Sequence, residues 1–137
     1  MQYLQLFWES FRPALIVPGS LFFALVIGHV IGDYPLQNDF MALGKNHRRP
    51  LPMPGGSPQG PIIWMHCLTA HALIHAGAVW LITGSVTLAL LETALHWIID
   101  FVKSEGWTNL HVDQFLHILC KAGYVWAIHA GWLAVGG

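Results

Sequence analysis

Long apolar runs, interrupted every three or four positions by histidines and carboxylates, make up most of this chain. A bilayer-spanning helix needs about 20 mostly apolar residues. Four stretches meet that length: Ala14 to Gly32, Pro61 to Thr83, Ser85 to Val102, and Val112 to Val135. Ahead of them, Tyr3, Leu4, Phe7, Trp8 and Phe11 alternate with Gln2, Gln5 and Glu9. That mixture predicts a short interfacial helix over Met1 to Phe11, ended by Pro13. The second and third stretches meet at Gly84, which predicts an antiparallel hairpin. The connection from Gly44 to Gly60 holds Pro50, Pro52, Pro54 and Pro58 with Gly55 and Gly56. It cannot continue a helix or enter a strand, and reads as a flexible tether or as a lid. The expected fold is all-α: one domain over residues 1–137, a polytopic membrane bundle of about four transmembrane helices.

Composition agrees with that picture. Of 137 residues, 55% are hydrophobic and only 9% charged, against about 25% charged in soluble domains. The seven Trp and three Tyr suit a protein with two bilayer interfaces. No basic run is long enough to predict nucleic-acid binding. Cys67 and Cys120 both lie in apolar stretches and read as buried thiols, not as a zinc knuckle or a disulfide framework. The N-terminus does not read as a signal peptide. Lys45, Arg48 and Arg49 precede the second span and Lys103 follows the third, whereas only Arg12 falls on the other side. The positive-inside rule then makes the loops 33–60 and 103–111 cytoplasmic, in a multi-pass protein of the bacterial inner membrane.

The polar residues change the picture from a passive bundle to one with chemistry. His29/Asp33, His71/His75, Glu92/His96, His96/Asp100 and Asp113/His117 are all four residues apart. On a helix each pair stands on one face, one turn apart, a spacing that lets two side chains grip one ion. With alternating span directions, these pairs gather in the cytoplasmic half of the bundle. Glu92 lies two turns from Asp100, about 12 Å at 1.5 Å per residue, and so level with His71 or His75. The ordinary reading of such pairs is a set of hydrogen bonds that lock helices together. For Asp113 the ordinary reading is a cap on a helix beginning after Asn109, and for Lys103 and Lys121 it is snorkelling towards the interface. His66 is expected to face away from His71. The small-residue stripes Ala24, Gly28, Gly32 and Gly123, Ala127, Gly131 are expected to allow close helix approach, and are compatible with a homo-oligomer.

The runs GHVIGDYPLQNDFMALGKN, HALIH, HWIIDFVK and DQFLH resemble one family of small bacterial and phage membrane proteins, a domain of unknown function. The likeness runs from about His29 to His117. It implies as the family's polar positions His29, Asp33, Gln37, Lys45, His71, His96, Asp100, Lys103, Asp113, Gln114 and His117. A fainter likeness extends to membrane proteins labelled metal-dependent hydrolases. Pro35 is expected to kink the helix before Gln37.

The candidate metal ligands are therefore His29, Asp33, His71, His75, His96, Asp100, Asp113 and His117. Mixed imidazole and carboxylate donors without thiolate suit zinc first, or manganese or iron, and the set is large enough for two ions. Glu92 is the candidate proton acceptor, and Lys103, with Lys45 and Lys121, the candidate partner of an anionic lipid or phosphoester. The leading reading is a membrane-embedded metal-dependent hydrolase. The others are a metal-ion or proton transport protein, a structural or assembly protein without catalysis, and a holin-like pore former.

Overall fold

The computed structural model describes residue 10 and residues 17–48 and 62–133. The interfacial helix expected before Pro13 falls outside these residues, apart from residue 10. Among the described residues the chain is all-helical: α1 Pro18–Asp33, α2 Asp39–Gly44, α3 Ile63–Thr83, α4 Val86–Ser104 and α5 Leu110–His129.

Local signals in the sequence set most of these limits. Pro18 starts α1 in the first turn, where its missing N–H costs nothing. The helix stops at Asp33, two residues before Pro35, so the expected kink is a helix end. Asn38 then caps the six-residue α2 by accepting from Met41 N at 2.9 Å. Gly84 ends α3 in the left-handed region at φ 68°, which a Cβ disfavours. Thr83 Oγ1 accepts from Ser85 N at 3.1 Å, and Ser85 caps α4 by accepting from Leu88 N. The cap of α5 is Asn109, which accepts from Val112 N at 3.0 Å. Asp113 is wholly buried and does not cap the helix.

The four long helices run up and down in a closed ring. α3 packs on α4, α4 on α5, α5 on α1 and α1 on α3, while the short α2 leans on α3. The ring has two different halves. Leu21, Leu25, Val79, Leu88, Tyr124 and Val125 form an apolar core at one end. At the other end the interior is polar: His29, His71, His75, His96, Asp100, Asp113 and His117 are all buried. The outside is apolar, with Phe23, Trp80, Leu81, Leu90, Phe115 and Trp126 each more than half exposed. α3 is long and apolar enough to cross a membrane, and α1 is apolar but shorter, at 16 residues.

The small-residue stripes divide. Gly28 packs on α3, where a Cβ would lie 3.3 Å from Ala78 Cβ. A Cβ on Gly32 would lie 2.5 Å from His75 Cε1, so the His75 ring occupies the space that a side chain at 32 would need. Gly123, in contrast, has nothing near it, and its stripe meets no partner among the described residues of the bundle. Gly84→Ala is expected to lower stability by about 1–2 kcal/mol. Gly123→Ala should be neutral or slightly stabilising, since Ala favours a helix over Gly. Thermal unfolding midpoints of the two variants check the contrast.

Candidate metal centre

The periodicity that predicted the paired residues also explains how they meet. α1 ends, α3 begins, α4 ends and α5 begins at the same end of the ring, so each helix brings its polar turn to one level. All eight candidate ligands converge there. Asp33, His71, His75 and His96 offer ligand atoms that lie within 4.8 Å of one another. His29, His96 and His117 form a second such group, and Asp100, Asp113 and His117 a third. Three of the rings are layered: His75 stacks on His96 at 3.7 Å between centroids, and His96 on His117 at 4.0 Å. His66 is exposed and takes no part.

The charged groups sort into balanced sets with one exception. Lys121 Nζ donates to Glu92 Oε1 at 2.5 Å. Lys45 Nζ donates to Asp100 Oδ2 at 2.6 Å. Lys103 Nζ lies between Asp100 Oδ1, at 3.0 Å, and Asp113 Oδ2, at 2.9 Å. Glu92, Asp100 and Asp113 thus face three ammoniums. Wherever the proton rests in such a pair, the pair is neutral overall. Asp33 is different. Its partners are His71 Nε2 and His75 Nε2, each 3.2 Å from Oδ1, His29 Nε2 at 3.3 Å, and Gln114 Nε2, which donates to Oδ2 at 2.7 Å. No ammonium or guanidinium among the described residues reaches it.

The contacts of His71 and His75 with Asp33 have an unusual form. The separations are those of hydrogen bonds, yet neither Nε2 makes one. Four ligands about 2.1 Å from a tetrahedral zinc stand about 3.4 Å apart. Each nitrogen therefore stands from the carboxylate oxygen about as far as two ligands of one ion stand from each other. His96 Nε2 and His117 Nε2 are likewise buried without a hydrogen-bond partner. A buried polar atom left unpaired costs roughly 1–3 kcal/mol, and four such imidazole nitrogens lie together here.

Glu92 stands behind this arrangement. Its Oε1 meets His96 Nδ1 at 3.2 Å, while Tyr124 Oη donates to Oε2 at 2.8 Å. A carboxylate on one ring nitrogen fixes the orientation of the ring and leaves the other nitrogen for an ion. Lys121 does not snorkel; it is 1% exposed. Lys103 is half-tethered at the rim, its side chain 27% exposed, and Asp33 is 12% exposed.

Reading the sequence alone underrates three participants. Gln114 links Asp33 to His29 through its amide. Tyr124 completes the stripe Asp113, His117, Lys121, Tyr124, and extending that stripe by one further turn would have found it. Lys45 comes from the end of α2, and no helical period points to it. The residues after it are tied to the end of α4: Asn46 Nδ2 donates to Ser104 O at 3.0 Å, and Arg48 pairs with Glu105. The expected tether or lid over residues 49–60 lies outside the described residues. Cys67 is buried and Cys120 half-buried, and both are free thiols.

Removing one partner of a buried ion pair costs about 3–5 kcal/mol, because the other charge is stranded. Glu92→Ala should therefore lower the unfolding free energy by about that amount. The double variant Glu92→Leu with Lys121→Met should recover most of the loss. Denaturant titration of the three proteins checks both outcomes.

No curated protein and no solved structure matches the chain. Residues 21–130 match a family model described as protein of unknown function (DUF3307). That match covers most of the chain, apolar half and polar half alike, and the protein belongs to the DUF3307 family.

Proposed function

We propose that this protein is a multi-pass bundle of the bacterial inner membrane that holds a divalent metal ion, zinc first, and hydrolyses a lipid or phosphoester at the cytoplasmic leaflet. The observation that carries the metal is Asp33. It is the one carboxylate of the cluster that no ammonium among the described residues reaches, and three imidazole nitrogens lie 3.2–3.3 Å from it. Asp33, His71, His75 and His96 form the first coordination set. His29, His117, Asp100 and Asp113 surround it and suit a second ion less well, since Lys45 and Lys103 already hold the two carboxylates. Manganese or iron would meet the same donors.

The membrane reading rests on the inverted distribution of residues. Charged and imidazole side chains are inside and large apolar ones outside, the arrangement in which lipid replaces water as the solvent. α4 and α5 carry their polar residues on the inward face, so they lose mean hydropathy without losing an apolar exterior. An apolar groove of about 550 Å³ between α1 and α3, walled by Ile27, Ile31, Leu73 and Leu81 and lined also by Gly32, has the dimensions for an acyl chain. Gly32 is the residue against which His75 packs, and this supports a lipid over a wholly water-soluble substrate.

A zinc ion with an open position supplies a bound water acidic enough to attack at neutral pH. The chain's own residues would do the rest. Glu92, engaged by Lys121, Tyr124 and His96, would act through His96, holding its ring with Nε2 inward. Lys103, at the rim between Asp100 and Asp113, meets the anionic group of the substrate. Asp100, outside that first set and beside His71, His96 and His117, would be the carboxylate to accept a proton.

A second reading, proton or metal-ion transport, is favoured by the stacked series His75, His96 and His117. A protonated imidazole would also balance Asp33. Metal analysis of protein purified without chelators separates the readings. We expect about one equivalent of zinc per chain, lost in His75→Ala and in Asp33→Asn, and a deficit of about 10–100-fold in affinity for Glu92→Gln. Absence of metal, with no uptake of added zinc, would sink the hydrolase reading and leave the proton reading. Metal content with ion flux in liposomes and no ester cleavage would favour transport.

A further inference from the structure

If Asp33 and its imidazoles seat a metal ion, as proposed above, the charges around them restrict what else the centre can bind. Glu92, Asp100 and Asp113 are matched by Lys45, Lys103 and Lys121, so these six groups sum to no charge. Neutral imidazoles and the amide of Gln114 add none. Asp33 alone brings one negative charge to the centre. A divalent ion seated on it leaves the centre with a single positive charge. In a buried site such an excess is costly unless it is matched.

We infer that the loaded centre takes one singly charged anion. Two sources share that chemistry: hydroxide derived from water, and a phosphodiester, which carries one charge where a phosphomonoester carries nearly two at neutral pH. Three features of the structure support the assignment. Asp33 and Lys103 are both partly exposed at this end of the bundle, so an anion arriving there meets an ammonium. The unpartnered His96 Nε2 and His117 Nε2 mark a pocket of polar atoms beside the Asp33 set, without a further carboxylate that lacks its own lysine. Gln114 contributes a neutral amide 2.7 Å from Asp33, at a position where Glu would have supplied the missing charge.

The test uses the full-length protein loaded with cobalt(II), whose visible spectrum reports its ligands. Azide, a monoanion, should shift that spectrum with saturation at one azide per cobalt. Dimethyl phosphate should compete with azide, and methyl phosphate, a dianion at pH 8, should bind about ten-fold more weakly or worse. Gln114→Glu adds one negative charge beside Asp33. It should still bind cobalt and should weaken azide by about ten-fold or more. Competition by dimethyl phosphate identifies the phosphodiester. Azide binding without such competition identifies hydroxide as the anion.

Should cobalt bind while azide leaves the spectrum unmoved, the inference is overturned and the metal reading stands. The same holds if methyl phosphate binds better than dimethyl phosphate, or if the azide response survives Gln114→Glu unchanged. Should cobalt fail to bind, both fall together. If Gln114→Glu does not fold, the comparison of mono- and dianionic phosphates on the parent protein decides alone.

Discussion

Charges in a low-dielectric interior must be matched close at hand, and the polar half of this bundle is organised by that demand. An unpaired ion there costs several kcal/mol even after relaxation. Three lysines satisfy three carboxylates at 2.5 to 3.0 Å. They leave Asp33 with imidazoles and an amide. The metal proposed for the site rests on this one omission. The surrounding pairs act as neutral structural elements, and Asp33 acts as the one fixed charge. The matched pairs also set orientation: Glu92, itself held by Lys121 and Tyr124, turns His96 so that its other nitrogen faces the cluster.

The division of the ring into halves lets such a cluster exist. Leu21, Leu25, Val79 and Leu88 pack the far end, so part of the helix packing is independent of the polar residues. Burial of apolar area contributes about 25 cal/mol per Å² and needs no directional contacts. The polar end can then be arranged for ligation. Gly32 shows the local consequence. Only a residue without a Cβ lets the His75 ring sit against α1 and come within 3.2 Å of Asp33.

Much of this was legible in the sequence because helices convert spacing into direction. His29/Asp33, His71/His75, His96/Asp100 and Asp113/His117 are four apart, and the alternation of helix directions places all four pairs at one end. The turn at Gly84 came from local chemistry, whereas the cap of α5, expected at Asp113, is made by Asn109. What the sequence withheld depends on rotation between helices and on segments without a period. Lys45 succeeds a six-residue helix too short to show a pattern, and its ammonium nevertheless meets Asp100. Lys121 lies on the same stripe as His117, yet spacing alone does not distinguish a lysine that snorkels from one that finds Glu92 on the neighbouring helix. The end of α5 at His129, short of the Val135 limit read from hydropathy, reflects an apolar segment that continues past the helix.

The pairing of charges has a further consequence for the role of the histidines. A ring whose two nitrogens both find protein partners is a structural residue. His96 has Glu92 on Nδ1 and nothing on Nε2, and His71 and His75 leave both nitrogens without hydrogen bonds. If the purpose of the cluster were to lock helices, hydrogen-bonded pairs would serve better than stacked rings that leave nitrogens unpaired. Because Asp33 is the unmatched charge in their midst, the partner proposed for them is a cation. A proton on one ring would meet the charge and leave the remaining nitrogens unpaired. A metal ion meets both demands at once, and that is why it takes precedence in the reading of this site.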